Sequence, residues 1–98
     1  MNLFDLKDQV AVITGSSRGI GKSIALRMAE HGARVVISSR KLDACADVVA
    51  EIDALYGKGR ALAIPANISK KEDLEKLVAQ TKAQWGRIDV LVCNAASN

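Results

Sequence analysis

The sequence predicts a doubly wound α/β fold with a parallel sheet, and three observations predict it. Four short apolar runs are of strand length and lack period-2 alternation, as strands buried on both faces do. Three helical patterns alternate strictly with them. A glycine-rich turn joins the first run to the first helix. Strand-helix alternation requires right-handed crossovers between parallel strands, so the expected strand order is 3-2-1-4. Helices one and two should then cover one face and helix three, alone, the other, leaving that second face half bare.

The strands are Val10-Ala-Val-Ile13, Val35-Val-Ile37, Ala61-Leu-Ala-Ile64 and Val90-Leu-Val92. In the first helix Ile20, Ile24 and Met28 recur every four residues with Ala25 and Ala29 beside them, and Gly32 follows where a left-handed cap is wanted. The second carries Cys45, Val48, Val49, Ile52 and Leu55 on one face and stops at Gly57. The third opens with Ser69-Lys-Lys-Glu72, which reads as a capping box, and runs through Leu74, Leu77, Val78 and Thr81 to Gly86. Pro65, the one proline, falls at the end of the third strand, where it costs no central ladder bond. Trp85 reads as a packing anchor for the third helix.

At 98 residues, 49% hydrophobic and 26% charged, the chain is sized for one domain or part of one and composed like a globular protein. Only 3% is aromatic, which supplies little for stacking on nucleic-acid bases, and no nucleic-acid partner is expected. A net charge of +3 spread along helices describes a solvated surface. Cys45 and Cys93 lie far apart without metal-ligand spacing, so neither a disulfide framework nor a metal site is expected, and Cys93 reads as a small buried residue. No apolar run approaches the roughly 18 residues of a membrane span, and the start is broken by charges. The expectation is a soluble, cytoplasmic chain without membrane contact.

Directly after the first strand comes Thr14-Gly15-Ser16-Ser17-Arg18-Gly19-Ile20-Gly21. Glycines allow positive φ and close backbone approach, and the helix start that follows offers unpaired N–H groups, so the turn reads as a phosphate cradle. Gly21-Lys22-Ser23 imitates an ATP-binding loop, but that loop needs a glycine at the place Ser16 occupies. The pattern Thr-Gly-x-x-x-Gly-x-Gly resembles the short-chain dehydrogenases/reductases instead. The resemblance extends to Cys93-Asn94-Ala95-Ala96 at the end of the fourth strand, where that family usually has Asn-Asn-Ala-Gly. It includes Asn67-Ile68 after the third, where an Asp and an aliphatic residue are usual.

The resemblance implies a Rossmann-type dinucleotide site at the strand ends. The Ile20 amide and adjoining turn would hold the pyrophosphate, Asn67 and Ile68 would border the adenine, and Asn94 and Ala95 would approach the ribose. Thr14 would tie the first turn to the fourth. Asn67 is expected to accept from the adenine amino group through its amide oxygen. Where an NAD site places an acid at the end of the second strand, this chain reads Ser38-Ser39-Arg40-Lys41. A guanidinium there, supported by Arg18 and the hydroxyls of Ser17 and Ser39, suits a 2′-phosphate, so NADP is expected over NAD.

Hydride transfer in the resembled family depends on a Ser, a Tyr, a Lys four residues after that Tyr and an Asn, all beyond the fourth strand. Tyr56 is followed at that spacing by Arg60 across two glycines, and reads as a helix-end packing residue. His31 reads as a partner of the first helix's C-terminal dipole. Residues 1–98 are therefore expected to be the cofactor-binding part of a domain, truncated after the fourth strand and carrying no catalytic residue. The complete protein would be an NADP(H)-dependent oxidoreductase acting on a small carbonyl or alcohol, as a homo-oligomer. The rival reading is a non-catalytic nucleotide-binding half-domain.

Overall fold

A computed structural model of the chain describes residues 6–94. The elements are β1 (Val10–Thr14), α1 (Gly19–Glu30), β2 (Arg34–Ser38), α2 (Leu42–Tyr56), β3 (Ala61–Ala63), α3 (Lys71–Trp85) and β4 (Val90–Val92). All pairings are parallel and the strand order is β3-β2-β1-β4, as the alternation predicts. Among the described residues no helix is long and apolar enough to cross a membrane.

The register sorts the strand residues onto two faces. Ala11 aligns with Val35 and Val90, Val35 with Ala61, and these join Ile13 and Ile37 in a core with Ala25, Ala29, Cys45, Val48 and Ile52 of α1 and α2. The intervening residues Val12 and Val36 face the other way, toward Ile64, Ala66 and Leu77 of α3, with Trp85 at its edge. Tyr56 packs on the first core, at the end of α2. The second face is left open beside β4: Leu91, in register with buried Val12, is 59% exposed, and Leu74 and Val78 of α3 are exposed as well.

Three helix expectations are corrected. The stripe of α1 that meets the sheet is Gly21-Ala25-Ala29, whereas Ile20 is 75% exposed and Ile24 and Met28 are half-buried. The two stripes differ by one residue, about 100° around the helix, and the small one wins because it lets the helix axis approach the strands. The capping box of α3 does not form: Lys70 is the N-cap and makes no side-chain cap bond. Ser69 turns its backbone N–H and its hydroxyl to Asn67 Oδ1 instead (3.0 and 2.7 Å), while Asp73 Oδ2 accepts from the Asn67 N–H at 2.8 Å. In α2, Leu55 is exposed, one turn beyond the last buried residue, Ile52.

The glycine stops behave as predicted, with Gly86 left-handed at the end of α3 and Gly32 at φ +100° after α1. Regular pairing of β3 ends at Ala63, one residue short of the predicted Ile64. Ile64 and Ala66 nevertheless donate to the carbonyls of Ile37 and Ser39 (3.0 and 2.9 Å), and Pro65 falls between them, where no N–H is required.

Asp89 brackets the start of β1 against the start of β4. Its N–H donates to Val10 O and its Oδ2 accepts from the Val10 N–H, both at 2.8 Å, while Arg87 Nε donates to Oδ1 at 3.0 Å. The Arg87 bond, then the Val10 bond, hold the carboxyl below its usual range. Folded Asp89 therefore titrates below its unfolded value, so its stabilisation is present above the ordinary carboxylate range and fades as pH falls through the depressed value. Asp89→Asn should lower Tm at pH 7 and the deficit should shrink on acidification toward pH 3. Thermal melts of both proteins across that range check it, and a pH-independent deficit contradicts it.

Candidate functional site

The turn after β1 is built from two glycines that must lack a side chain and one that must lack only a preference. At Gly21 a Cβ would lie 2.2 Å from the Gly15 carbonyl oxygen and 2.7 Å from Asn94 Nδ2; at Gly15 it would lie 2.8 Å from the Asn94 carbonyl oxygen. Gly19 has open space around it, but its φ of +63° lies in the left-handed region. The first two thus pack the turn against α1 and the β4 end, and the third bends the chain into the helix.

Side chains lock this arrangement from both neighbouring strands. Thr14 Oγ1 accepts from the Asn94 N–H at 3.1 Å and donates to Val92 O at 3.4 Å; Asn94 Nδ2 donates to Gly15 O at 3.3 Å. Toward β2 the lock is Ser16, fully buried. Its N–H donates to Ser38 O at 3.0 Å, and its hydroxyl donates to Ile13 O at 2.7 Å and accepts from the Ser38 N–H at 2.8 Å. Sequence reasoning passed over Ser16, and the one available signal was a small hydroxyl directly after the first glycine of a tight turn.

The N-terminus of α1 differs from those of its neighbours. None of the three N-cap residues makes a side-chain cap bond, but only α1 has no acid in its first turn, whereas α2 has Asp43 and α3 has Glu72 and Asp73 there. The first-turn amides of α1 are thus without the side-chain acceptors that usually satisfy such groups, and the helix presents its positive end. Ser38 Oγ, at the head of β2, is buried without a hydrogen-bond partner among the described residues. Open amides, a positive helix end and a spare buried hydroxyl fit an anionic, polar ligand across the strand ends.

The remaining predicted residues gather at the same edge. Ser17 is half-buried and Arg18 exposed after β1; Arg40 is exposed after β2, and Thr14 and Ser38 are register partners, so both arginines follow adjacent strand ends. Ser39 is buried rather than presented: its hydroxyl accepts from the Lys41 N–H at 3.2 Å and lies 3.2 Å from Cys45 Sγ. Asn67 and Ile68 follow β3, with Ile68 45% exposed like Ile20 near the α1 start. The expected orientation of Asn67 is revised. A backbone N–H can only donate, so Ser69 fixes Oδ1 toward itself and leaves the amide Nδ2 as the group available to a ligand. Ala95 lies outside the described residues.

Cys93 is exposed, not buried, because β4 is an outer strand with nothing beyond it among the described residues. Cys45 is buried. Among the described residues no three His, Cys, Asp or Glu side chains group as a metal site would require. His31 is the C-cap of α1, and its Nε2 lies 4.0 Å from Glu30.

Gly21→Ala should destabilise the chain by about 1–3 kcal/mol or more, since backbone and not a flexible side-chain end blocks the added methyl. Gly19→Ala should cost only about 1 kcal/mol, from its positive φ. Denaturant unfolding of the two variants tests this, and equal losses would show that the close packing at Gly21 is not tight.

Comparison with known proteins agrees with this geometry. The sequence profile described as short chain dehydrogenase matches residues 9–98. The 3-oxoacyl-[acyl-carrier-protein] reductase of Synechocystis sp. is 45% identical over 91 residues, covering 92% of this chain and 36% of that protein. The L-sorbose reductase of Gluconobacter frateurii, solved with NADPH and L-sorbose, superposes with a TM-score of 0.90 at 32% identity, over 96% of this chain and 35% of that one. The 3-ketoacyl-(acyl-carrier-protein) reductase of Brucella melitensis, solved with NADH, gives 0.81 at 37% identity, over 89% and 34%. The chain thus spans about a third of the length of the relatives it matches. A glycine turn locked to the fourth strand, a parallel 3-2-1-4 sheet and a profile match over nearly the whole chain lead to one assignment: the chain belongs to the short-chain dehydrogenase family.

Proposed function

We propose that residues 1–98 are the cofactor-binding part of a dinucleotide domain, and that the complete protein is an NADP(H)-dependent oxidoreductase acting on a small carbonyl or alcohol. The observation that carries the reading is the α1 N-terminus, which has no acid in its first turn and follows a turn that Gly15 and Gly21 pack tightly against Asn94. The Synechocystis relative is a reductase, and solved relatives hold NADPH or NADH.

In this reading the turn from Gly15 through Ser17, Arg18, Gly19, Ile20 and Gly21 binds the pyrophosphate with backbone amides and the helix end. Arg40 and Arg18 meet the 2′-phosphate, and Ser39 acts by holding the Lys41 backbone so that the β2 end keeps its path. Ile68 flanks the adenine, and Asn67 offers it an amide N–H. Asn94 and Ala95 approach the ribose, while Thr14 fixes Asn94 from behind. The cofactor, when bound, supplies the hydride; the residues of this chain bind and orient it. The open apolar side chains Leu74, Val78 and Leu91 support a larger complete protein, and an assembly of several copies of it.

Residues 1–98 should show no turnover of carbonyl substrates with NADPH, since in this reading no side chain among the described residues serves as the proton donor at the nicotinamide. Turnover by the purified segment, abolished in Tyr56→Phe, would overturn this. A charge-assisted contact from Arg40 is worth roughly 1.5–3 kcal/mol, so NADP should bind about ten- to hundredfold more tightly than NAD. Arg40→Asp should erase or reverse the preference. Titration of both cofactors measures it, and equal affinities in the unsubstituted protein would remove Arg40 from the site.

A further inference from the structure

At the end of the sheet opposite the glycine turn lies a pocket of about 250 Å³, whose walls come from three separate connections. Lys7 and Asp8 precede β1, Arg34 opens β2 after the Gly32 turn, and Lys58 and Arg60 lie between α2 and β3. We propose that this pocket binds a phosphate-type oxyanion carried by a small soluble molecule. The assignment is independent of the cofactor reading.

Charge is the first ground. Four cations and one carboxylate line the pocket, a formal +3, and the chain as a whole is +3. The other ten basic and ten acidic residues cancel in number, so the charge counted at this pocket equals the net charge of the chain. Holding four like charges around one cavity is repulsive, and an anion between them converts that repulsion into attraction.

Geometry is the second. Arg34 Nη2 lies 3.9 Å from Asp8 Oδ1, and Arg60 Nη1 donates to the Gly32 carbonyl at 3.4 Å. Among the described residues each guanidinium is anchored by one such contact, and it has five N–H donors in a planar fork, a shape that suits tetrahedral oxyanions. The volume falls below the 300–1,000 Å³ typical of drug-sized ligand pockets, so it holds a phosphate group with little attached rather than a nucleotide.

The competing account is that these cations only offset the carbonyl ends of α1 and α2, which finish at this edge. That account predicts loss of stability when the cations are removed but no response to anions, and so separates cleanly. The test titrates inorganic phosphate and pyrophosphate into residues 1–98 at low ionic strength, read by thermal shift and by 31P line broadening. Chloride at matched ionic strength is the control. Two double variants assign the response, Lys58→Gln/Arg60→Gln here and Arg18→Gln/Arg40→Gln at the glycine-turn edge. Phosphate should raise Tm beyond the chloride control. Its apparent affinity should fall at least about tenfold in Lys58→Gln/Arg60→Gln and persist in Arg18→Gln/Arg40→Gln. A response lost only in the Arg18/Arg40 variant, or one no larger than with chloride, overturns the proposal. Co-sedimentation with phosphatidylcholine vesicles containing phosphatidic acid, lost in the Lys58/Arg60 variant, would overturn the soluble ligand in favour of a membrane headgroup.

Discussion

The C-terminal edge of the sheet rests on a close approach of three backbones, those of the Gly15 turn, the first turn of α1 and Asn94. The space between them is too small for a methyl group at Gly15 or Gly21. That contact fixes where α1 begins and therefore where its positive end points. It also lets Asn94 bond Gly15 and Thr14 at the same time, which binds β4 to β1 beyond the three register pairs they share. A larger residue at either glycine would push the helix start away, and the amides that face the strand ends would move with it.

Ser16 completes the arrangement on the other side. Its hydroxyl stands in for the next rung of the β1–β2 ladder, bonding the Ser38 N–H where the turning backbone has left the strand. Two hydroxyls, Thr14 and Ser16, thereby clamp the glycine turn between β4 and β2 without placing a side chain on the open side.

Much of this was legible in the sequence. Apolar runs alternating with helical periods led to the strand order, because parallel strands admit few connections, and the spacing of Thr14, Gly15, Gly19 and Gly21 located the turn. Less legible were features decided by fit. Periodicity alone could not tell the Ile20-Ile24-Met28 stripe from the Gly21-Ala25-Ala29 stripe beside it, since both recur every four residues and only the approach distance chooses between them. Ser69 and Glu72 have the spacing of a capping box, but Asn67 offered Ser69 a nearer acceptor. Cys93 read as a small buried residue because free cysteines usually are, while its exposure follows from the outer place of β4 among the described residues.

The bond between Asn94 and Gly15 joins residues 79 apart in the chain. Contacts of such separation close late in folding, because the entropy of the intervening loop must be overcome before they are rewarded. The β1-α1-β2 unit can assemble from near neighbours, with the glycine turn already bent but held from the Ser16 side alone. Only arrival of the far end of the chain supplies the Asn94 side of the clamp. The glycine-turn edge thus acquires its clamp at the same step that pairs β4 with β1, and a chain still emerging during synthesis carries the turn long before it carries Asn94.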